Sequence, residues 1–363
     1  MRSLSRMSVS PASSIILGFA ALVALLPGVR AGTDPLSTEM LAVFARDASA
    51  IVKIEAEEDS GPLSGTGFFV DSNGTILTNY SVGGESRDIF VSFGGIRYPA
   101  FRIAADSRSG LAILKLGPPN LLSSDQATAE TTGTLPMQTP YLPLGKAGDL
   151  GTASVVMTIG YPLDLPVTPS IGCVGGFSVS YGDQCFAVSH IRTSVPAQRG
   201  EGGAPLLNMN GEVVGILESS LDEGAGCFAL PIEAAEKVHS DFVRFGEPRP
   251  GWLGIRFDKS DVSEGPVTVQ GCVDDSPAQK AGFQRGDVIL QIGDRKVVTA
   301  DDVINAAFYL TVGEEVPLTV SRGGQTMEIK VVPEISPLSP QDRPVFNISA
   351  VTGSNVLFRL LAK

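Results

Sequence analysis

Histidine is the scarcest reactive residue of this chain: 363 residues contain two, His190 and His239. Cysteine is also sparse, at Cys173, Cys185, Cys227 and Cys272, with no CxxC pair and no His/Cys cluster. The ligand spacings of a zinc site are therefore missing, and neither a metal nor a cofactor is expected. Positive charge is in deficit: 27 Lys and Arg stand against 39 Asp and Glu, a formal charge of −12. An acidic surface of this kind argues against nucleic acid as a partner and against docking on anionic lipid. It leaves a local peptide-binding site open. The apolar run from Ile15 to Val29 includes Gly18 and Pro27, and its about fifteen residues are short against the roughly 20 needed to span a bilayer.

With 43% hydrophobic and 18% charged residues, the chain is too apolar for bulk disorder, and its length suggests two or three domains. Arg2 and Arg6 precede the apolar run, and Val29-Arg30-Ala31 offers small residues at a cleavage site. Residues 1–31 thus read as a secretory signal peptide, with an uncleaved membrane anchor as the alternative. Either reading exports the chain to a periplasmic or extracellular location. Loss of the leader's three arginines would take the formal charge from −12 to −15. Export permits disulfides. Cys173 and Cys185 flank Gly175–Gly182, read as a hairpin or a looped excursion, and are the favoured pair; two free thiols are the alternative. Cys227 and Cys272 lie in apolar contexts and read as buried small residues.

Short strands separated by turn residues dominate the first two thirds of the chain. Residues 50–56, 65–70, 75–79, 88–92, 97–104 and 111–115 read as strands, with a hairpin turn at Asp71-Ser-Asn-Gly74 and turn chemistry at 60–64. Strands at this spacing predict a barrel or a sandwich. A helix is expected over 39–48, capped by Ser37. Residues 118–140, rich in Ser, Thr, Gln, Ala and Pro, read as a mobile linker between two β-units. Strands resume at 153–160, 185–193 and 212–217, followed by a helix presenting Ala234, Val238 and Phe242. After a Pro-containing boundary at 246–250, a compact module of about five strands and two short helices runs to 335. The tail 336–363 has no assigned role.

The chemically suggestive stretch is Arg199-Gly-Glu-Gly-Gly-Ala-Pro-Leu-Leu207. Three glycines in four positions free the backbone to reach positive φ and leave room for close approach. Successive N–H groups of Gly200, Glu201 and Gly202 suit an oxyanion hole, where donors converge on developing negative charge. This loop, with Gly65–Val70, Ile76–Asn79, Leu111–Lys115, Ile159-Gly160, Phe228–Pro231 and Trp252–Ile255, resembles the HtrA serine proteases in order and spacing. The resemblance covers Val52 to Val332. It implies a mostly β fold: a two-barrel, chymotrypsin-like (trypsin-like) domain at 32–246, then an α+β PDZ domain at 247–335.

In that family a serine attacks, a histidine takes its proton and a buried aspartate fixes the histidine tautomer. The corresponding positions here are Gly202, Ser81 and Gly110, so all three roles read as vacant. A carboxylate on Glu201 would further oppose negative charge at the loop. His190 reads as a strand histidine without a catalytic partner, His239 as a solvated helix residue; Ser81 or Ser194 would need one of them nearby to act as a nucleophile. The PDZ resemblance implies that Trp252, Leu253 and Gly254 frame a loop that captures a C-terminal carboxylate. A peptide would add beside Ile255, Arg256 and Phe257, opposite the helix near 301–309. Arg256 either assists the carboxylate or is an exposed strand charge.

The expected partners are therefore protein C-termini or unfolded peptides. The resemblance also implies homotrimers, with Phe44 as a contact, or co-assembly with active paralogues. Three functions follow: a non-catalytic exported peptide-binding pseudoprotease, an active serine endopeptidase in extracytoplasmic protein quality control, and a regulatory subunit of an active paralogue.

Overall fold

The computed structural model describes residues 34–58, 61–117, 138–181, 184–221, 226–257 and 266–335. The expected leader, most of the linker at 118–140 and the tail 336–363 lie outside the described residues. Helix α1 spans Pro35–Asp47, beginning before the expected Ser37 cap. Proline is well placed in a first turn because its missing N–H would have had no helical partner there.

Two closed barrels follow. The first contains β1 (Ile51–Glu58), β2 (Gly61–Phe69), β3 (Thr75–Asn79), the single helical turn α2 (Tyr80–Gly83), β4 (Ile89–Phe93), β5 (Ile96–Asp106) and β6 (Leu111–Leu116). Its strands are ordered β1-β2-β3-β6-β5-β4. The second contains β7 (Val155–Gly160), β8 (Thr168–Tyr181), β9 (Gln184–Thr193), β10 (Pro205–Leu207), β11 (Val213–Leu221) and β12 (Gly226–Pro231), and helix α3 (Ile232–Phe245) follows it. Its ring reads β7-β8-β9-β12-β11-β10, the same order as the first.

Period-two patterning builds these walls. Val52, Ile54 and Ala56 line the first barrel, while Ile51 faces a core shared with the second. Strand β6 shows no alternation because both its faces are buried: Leu114 and Leu116 point into the barrel, Leu111 and Ile113 into the shared core. That core joins Met157, Ile159, Val188 and Ile216 of the second barrel to Val43 of α1 and Val238 of α3. Phe44, the expected trimer contact, packs in part against the same core. At Gly94-Gly95 both residues have positive φ (59° and 79°), the two-residue hairpin turn that matches strand twist.

Three expectations are corrected here. Residues 61–64 are strand rather than turn. The end of the linker is anchored: Thr139 N–H donates to Ser72 O and Leu142 N–H to Phe69 O. Of the two readings of Gly175–Gly182 the hairpin holds, since Gly175–Tyr181 continues the long β8 that pairs antiparallel with β9, but the length of its arms separates the favoured disulfide pair. Cys185 lies opposite Ser180, seven residues along β8 from Cys173. At roughly 3.3 Å per residue that is about 23 Å, far beyond the about 7 Å limit for bridging Cα atoms. Cys173 is a free, exposed thiol.

The C-terminal module comprises β13 (Gly251–Trp252), β14 (Ile255–Phe257), β15 (Val269–Cys272), α4 (Pro277–Lys280), β16 (Val288–Ile292), β17 (Arg295–Lys296), α5 (Ala300–Phe308), β18 (Val316–Arg322), β19 (Gln325–Val331) and β20 (Glu334–Ile335). Its core gathers Leu253, Val269, Ile289, Val303, Ala306 and Leu318. Helix α5 starts in a full capping box between Thr299 and Asp302. Among the described residues no helix is long and apolar enough to cross a membrane.

Candidate functional site

The glycine-rich loop enters between the two barrels, and its shape is imposed by close backbone approach. Gly200 (φ 91°) leaves no room for a side chain: a Cβ there would lie 2.4 Å from Tyr161 O. At Gly203 (φ 86°) it would lie 2.2 Å from Thr78 Oγ1 and 2.3 Å from Thr66 O. Thr66 is the hub of this clamp. Its N–H donates to Gly202 O (2.9 Å) and its hydroxyl to Gly200 O (2.7 Å), while its carbonyl accepts from Thr78 Oγ1 (2.8 Å). Tyr161 N–H donates to the same hydroxyl (3.1 Å). On the other side Gly203 N–H donates to Leu217 O. No described backbone carbonyl accepts the N–H of Gly200 or Gly202.

The Glu201 N–H, by contrast, is taken by Gln198 O (3.1 Å). Its side chain also departs from expectation. The carboxyl group is buried, 2% exposed, and turns inward, with Oε2 accepting from Gln198 N–H (2.8 Å) and Oε1 unpartnered. Burial pushes its pKa up, partly offset by that hydrogen bond. Burial, with Glu201 as the second cause, pushes the Cys227 thiol up to about 12.

Ser81 sits half-buried in α2. Its neighbour Tyr80 donates its N–H to Gly110 O, so positions 81 and 110 adjoin. A Cβ on Gly202 would lie 2.8 Å from Asn79 Nδ2, which brings position 202 to the same place. The three positions singled out in the sequence therefore converge.

His190 lies in β9, 1% exposed, with an acidic partner that the sequence did not reveal. Nε2 lies 2.7 Å from Glu218 Oε2 and Nδ1 lies 2.8 Å from Val188 O, while the ring stacks on Phe186. A carbonyl only accepts, so Nδ1 carries a proton, and one further proton is shared between Nε2 and Glu218. Both ring nitrogens are thus engaged, neither with a hydroxyl. Ser194 instead accepts Cys173 N–H (3.0 Å). His239 is exposed on α3. Glu218 was not singled out, because an acid directly after the buried run Val213–Leu217 carries no local signal. Only the return of β11 past Gly110 brings it to the site.

In the C-terminal module Gly254 (φ 75°) makes the tight turn, and a Cβ there would lie 2.3 Å from Ser276 Cβ. Leu253 O and Gly254 O accept from Ala278 and Val273, while no described backbone carbonyl accepts the N–H of Leu253 or Gly254. Trp252 is half-buried and pairs with Glu334. Among the described residues β14 pairs only with β15, which leaves one edge of Ile255-Arg256-Phe257 unpaired. Arg256 is exposed. The sequence did not reveal the seat of α5: Asn305 Oδ1 accepts Ser189 N–H (3.0 Å) on β9, beside His190, and Phe308 joins the inter-barrel core.

Residues 65–216 match the trypsin-like peptidase domain family and residues 251–332 the PDZ domain family. A probable periplasmic serine endoprotease, DegP-like, of Pseudomonas fluorescens is 30% identical over 306 residues, covering 80% of this chain and 60% of the relative. The serine endoprotease DegS of Haemophilus influenzae is 28% identical, covering 76% of this chain and 78% of the relative. The chain thus spans about 60% of the length of the DegP-like relative it matches. The fold is that of the HtrA-type protease AlgW with tripeptide (TM-score 0.64, 21% identity, 83% of this chain and 98% of that one). A serine endoprotease from Yersinia pestis is similar (TM-score 0.56, 23% identity, covering 82% and 98%).

Proposed function

Because the chain belongs to the HtrA family, with its trypsin-like peptidase domain followed by its PDZ domain, we propose that it is an exported pseudoprotease that binds peptides or protein C-termini without cleaving them. One observation carries this reading: both nitrogens of His190 are engaged by Val188 O and Glu218, and His239 is exposed on α3. A hydroxyl without a base is a poor nucleophile at neutral pH, and losing a catalytic serine or histidine costs on the order of 10⁶ in turnover. The unpaired edge of β14 and the unclaimed N–H groups of Leu253 and Gly254 support β-strand addition of a peptide that ends at this loop. The leader and the periplasmic names of the relatives support export.

The test is to incubate the purified protein with casein and a serine-reactive fluorophosphonate, and separately with a library of C-terminal peptides. No cleavage and no labelling are expected, together with peptide binding that C-terminal amidation abolishes. Labelled, inhibitor-sensitive cleavage would establish the active endopeptidase instead. A protein that binds no peptide but alters the activity of a co-assembled paralogue would establish the regulatory subunit.

A further inference from the structure

Glu218 belongs to the second barrel, yet its carboxyl group lies against a residue of the first. A Cβ on Gly110 would fall 1.9 Å from Glu218 Oε1, 2.6 Å from Cδ and 3.0 Å from Oε2. The carboxyl group therefore fills the volume that an aspartate at position 110 would occupy, and it fits because Gly110 has no side chain. Gly110 itself adopts φ 76°, in the region that glycine favours.

The two carboxyl oxygens have different surroundings. Oε2 is held by His190 Nε2 at 2.7 Å. Oε1 is buried and has no hydrogen-bond partner, on a side chain 8% exposed. An orphaned carboxyl oxygen in a closed site is uncommon, because buried acceptors normally find a donor. The neighbouring acid offers no alternative: Asp106 is engaged by Arg108 through its N–H and Nε. Of the other groups packed around α2, Tyr80 donates its hydroxyl to Glu85 and Arg102 donates Nη1 to Gly83 O (3.4 Å). Asn79, at the end of β3, donates Nδ2 to Glu218 O and leaves its own Oδ1 unpartnered.

An acid that orients an imidazole must be buried, fixed, and left with one oxygen for the ring N–H. Glu218 is buried, is fixed by His190, and keeps Oε1 without a partner beside Gly110, whose carbonyl is joined to the residue preceding Ser81. We infer that the orienting acid of this site is not lost but relocated across the inter-barrel seam, from position 110 to Glu218, whose free Oε1 is placed to accept the N–H of an imidazole at position 81. The site therefore lacks two groups, the base and the nucleophile, and keeps the third as a positioning residue held by His190. This rests on the reading of 81, 110 and 202 as the emptied catalytic positions.

The experiment introduces Ser81→His. Because the natural chain has only His190 and His239, the new imidazole is assignable by NMR, and its titration is followed with and without Glu218→Gln. An opposite charge within hydrogen-bonding reach raises an imidazole pKa by about one to three units. Adding Glu218→Gln is therefore expected to lower the new pKa by about one unit or more, a tenfold change in proton affinity. An unchanged pKa overturns the inference. Should Glu218→Gln fail to fold, the crystal structure of the Ser81→His protein decides. The ring N–H within hydrogen-bond distance of Glu218 Oε1 is expected, and a ring turned away refutes the relocation. Casein cleavage by the unaltered protein would overturn the pseudoprotease reading separately, and the imidazole–carboxylate contact does not depend on that result.

Discussion

The clamp on the glycine-rich loop makes a quantitative demand on Gly203. In Gly203→Ala the new methyl would lie 2.2 Å from Thr78 Oγ1, 2.3 Å from Thr66 O and 2.8 Å from Asn79 N. Two of these are backbone atoms in β-strands, so they cannot yield cheaply. The positive φ of 86° adds strain of about 1–2 kcal/mol for a residue with a Cβ. Displacing Thr78 breaks its bond to Thr66 O, worth about 1 kcal/mol. Forced backbone movement in a packed site adds roughly 1–3 kcal/mol. The expected cost is about 3–6 kcal/mol, a melting temperature roughly 6–24 °C lower by calorimetry. Gly246→Ala is the control: its φ is 77°, it caps α3, and a Cβ there meets nothing within 4 Å. That change should cost only the strain, about 1 kcal/mol. If the two variants melt within about 2 °C of each other, the loop is not clamped as described, and the argument for its fixed shape fails.

The remaining predictions address the buried charges and the domain seam. Glu201 has a raised pKa, so its ionisation weakens the fold: stability should fall as pH rises from about 4.3 through the raised folded value, and Glu201→Gln should flatten that dependence in urea melts. Asp287, 1% exposed and bridged twice by Arg322, has a depressed pKa. Its contribution is present above the unfolded value of about 3.9 and should be lost as pH falls through the folded one; a Asp287→Asn protein whose acid unfolding matches the parent would refute this. Asn305→Ala removes the acceptor of Ser189 N–H and should lower stability by about 1 kcal/mol, with faster amide exchange at Ser189 as the specific sign. Cys173→Ser should leave the melting temperature unchanged, and peptide mapping under oxidising conditions should find no Cys173–Cys185 bridge.

The features legible in the sequence are those that depend on local chemistry. Asp71-Ser-Asn-Gly74 turns because one carboxylate oxygen, Asp71 Oδ1, accepts from both Asn73 and Thr75 N–H, and those residues suffice to show it. The period-two pattern of β1, the capping box of α5 and the glycine spacing at 200–203 are equally local. So is the resemblance to the HtrA proteases, which rests on short motifs in a fixed order. Gly94-Gly95 declares its hairpin for the same reason.

Tertiary structure decided everything that depends on which strands meet. The sequence left the stretch after Cys173 open between a hairpin and a loop because its glycines suggest turns; pairing with β9 along most of β8 decides for the hairpin and separates Cys173 from Cys185. Glu201 read as a carboxylate opposing negative charge at the loop, but the N–H of Gln198 holds it turned inward and buried. Most of all, Glu218 and Gly110 are 108 residues apart in sequence, and nothing in the sequence brings them together. Only barrel closure and the packing of one barrel on the other place a carboxyl group in the space that glycine leaves. Sequence by itself determined the trypsin-like and PDZ architecture and singled out positions 81, 110 and 202, which the fold brings together. The long-range packing, in which burial and sterics outweigh local propensity, decided which side chain fills that place.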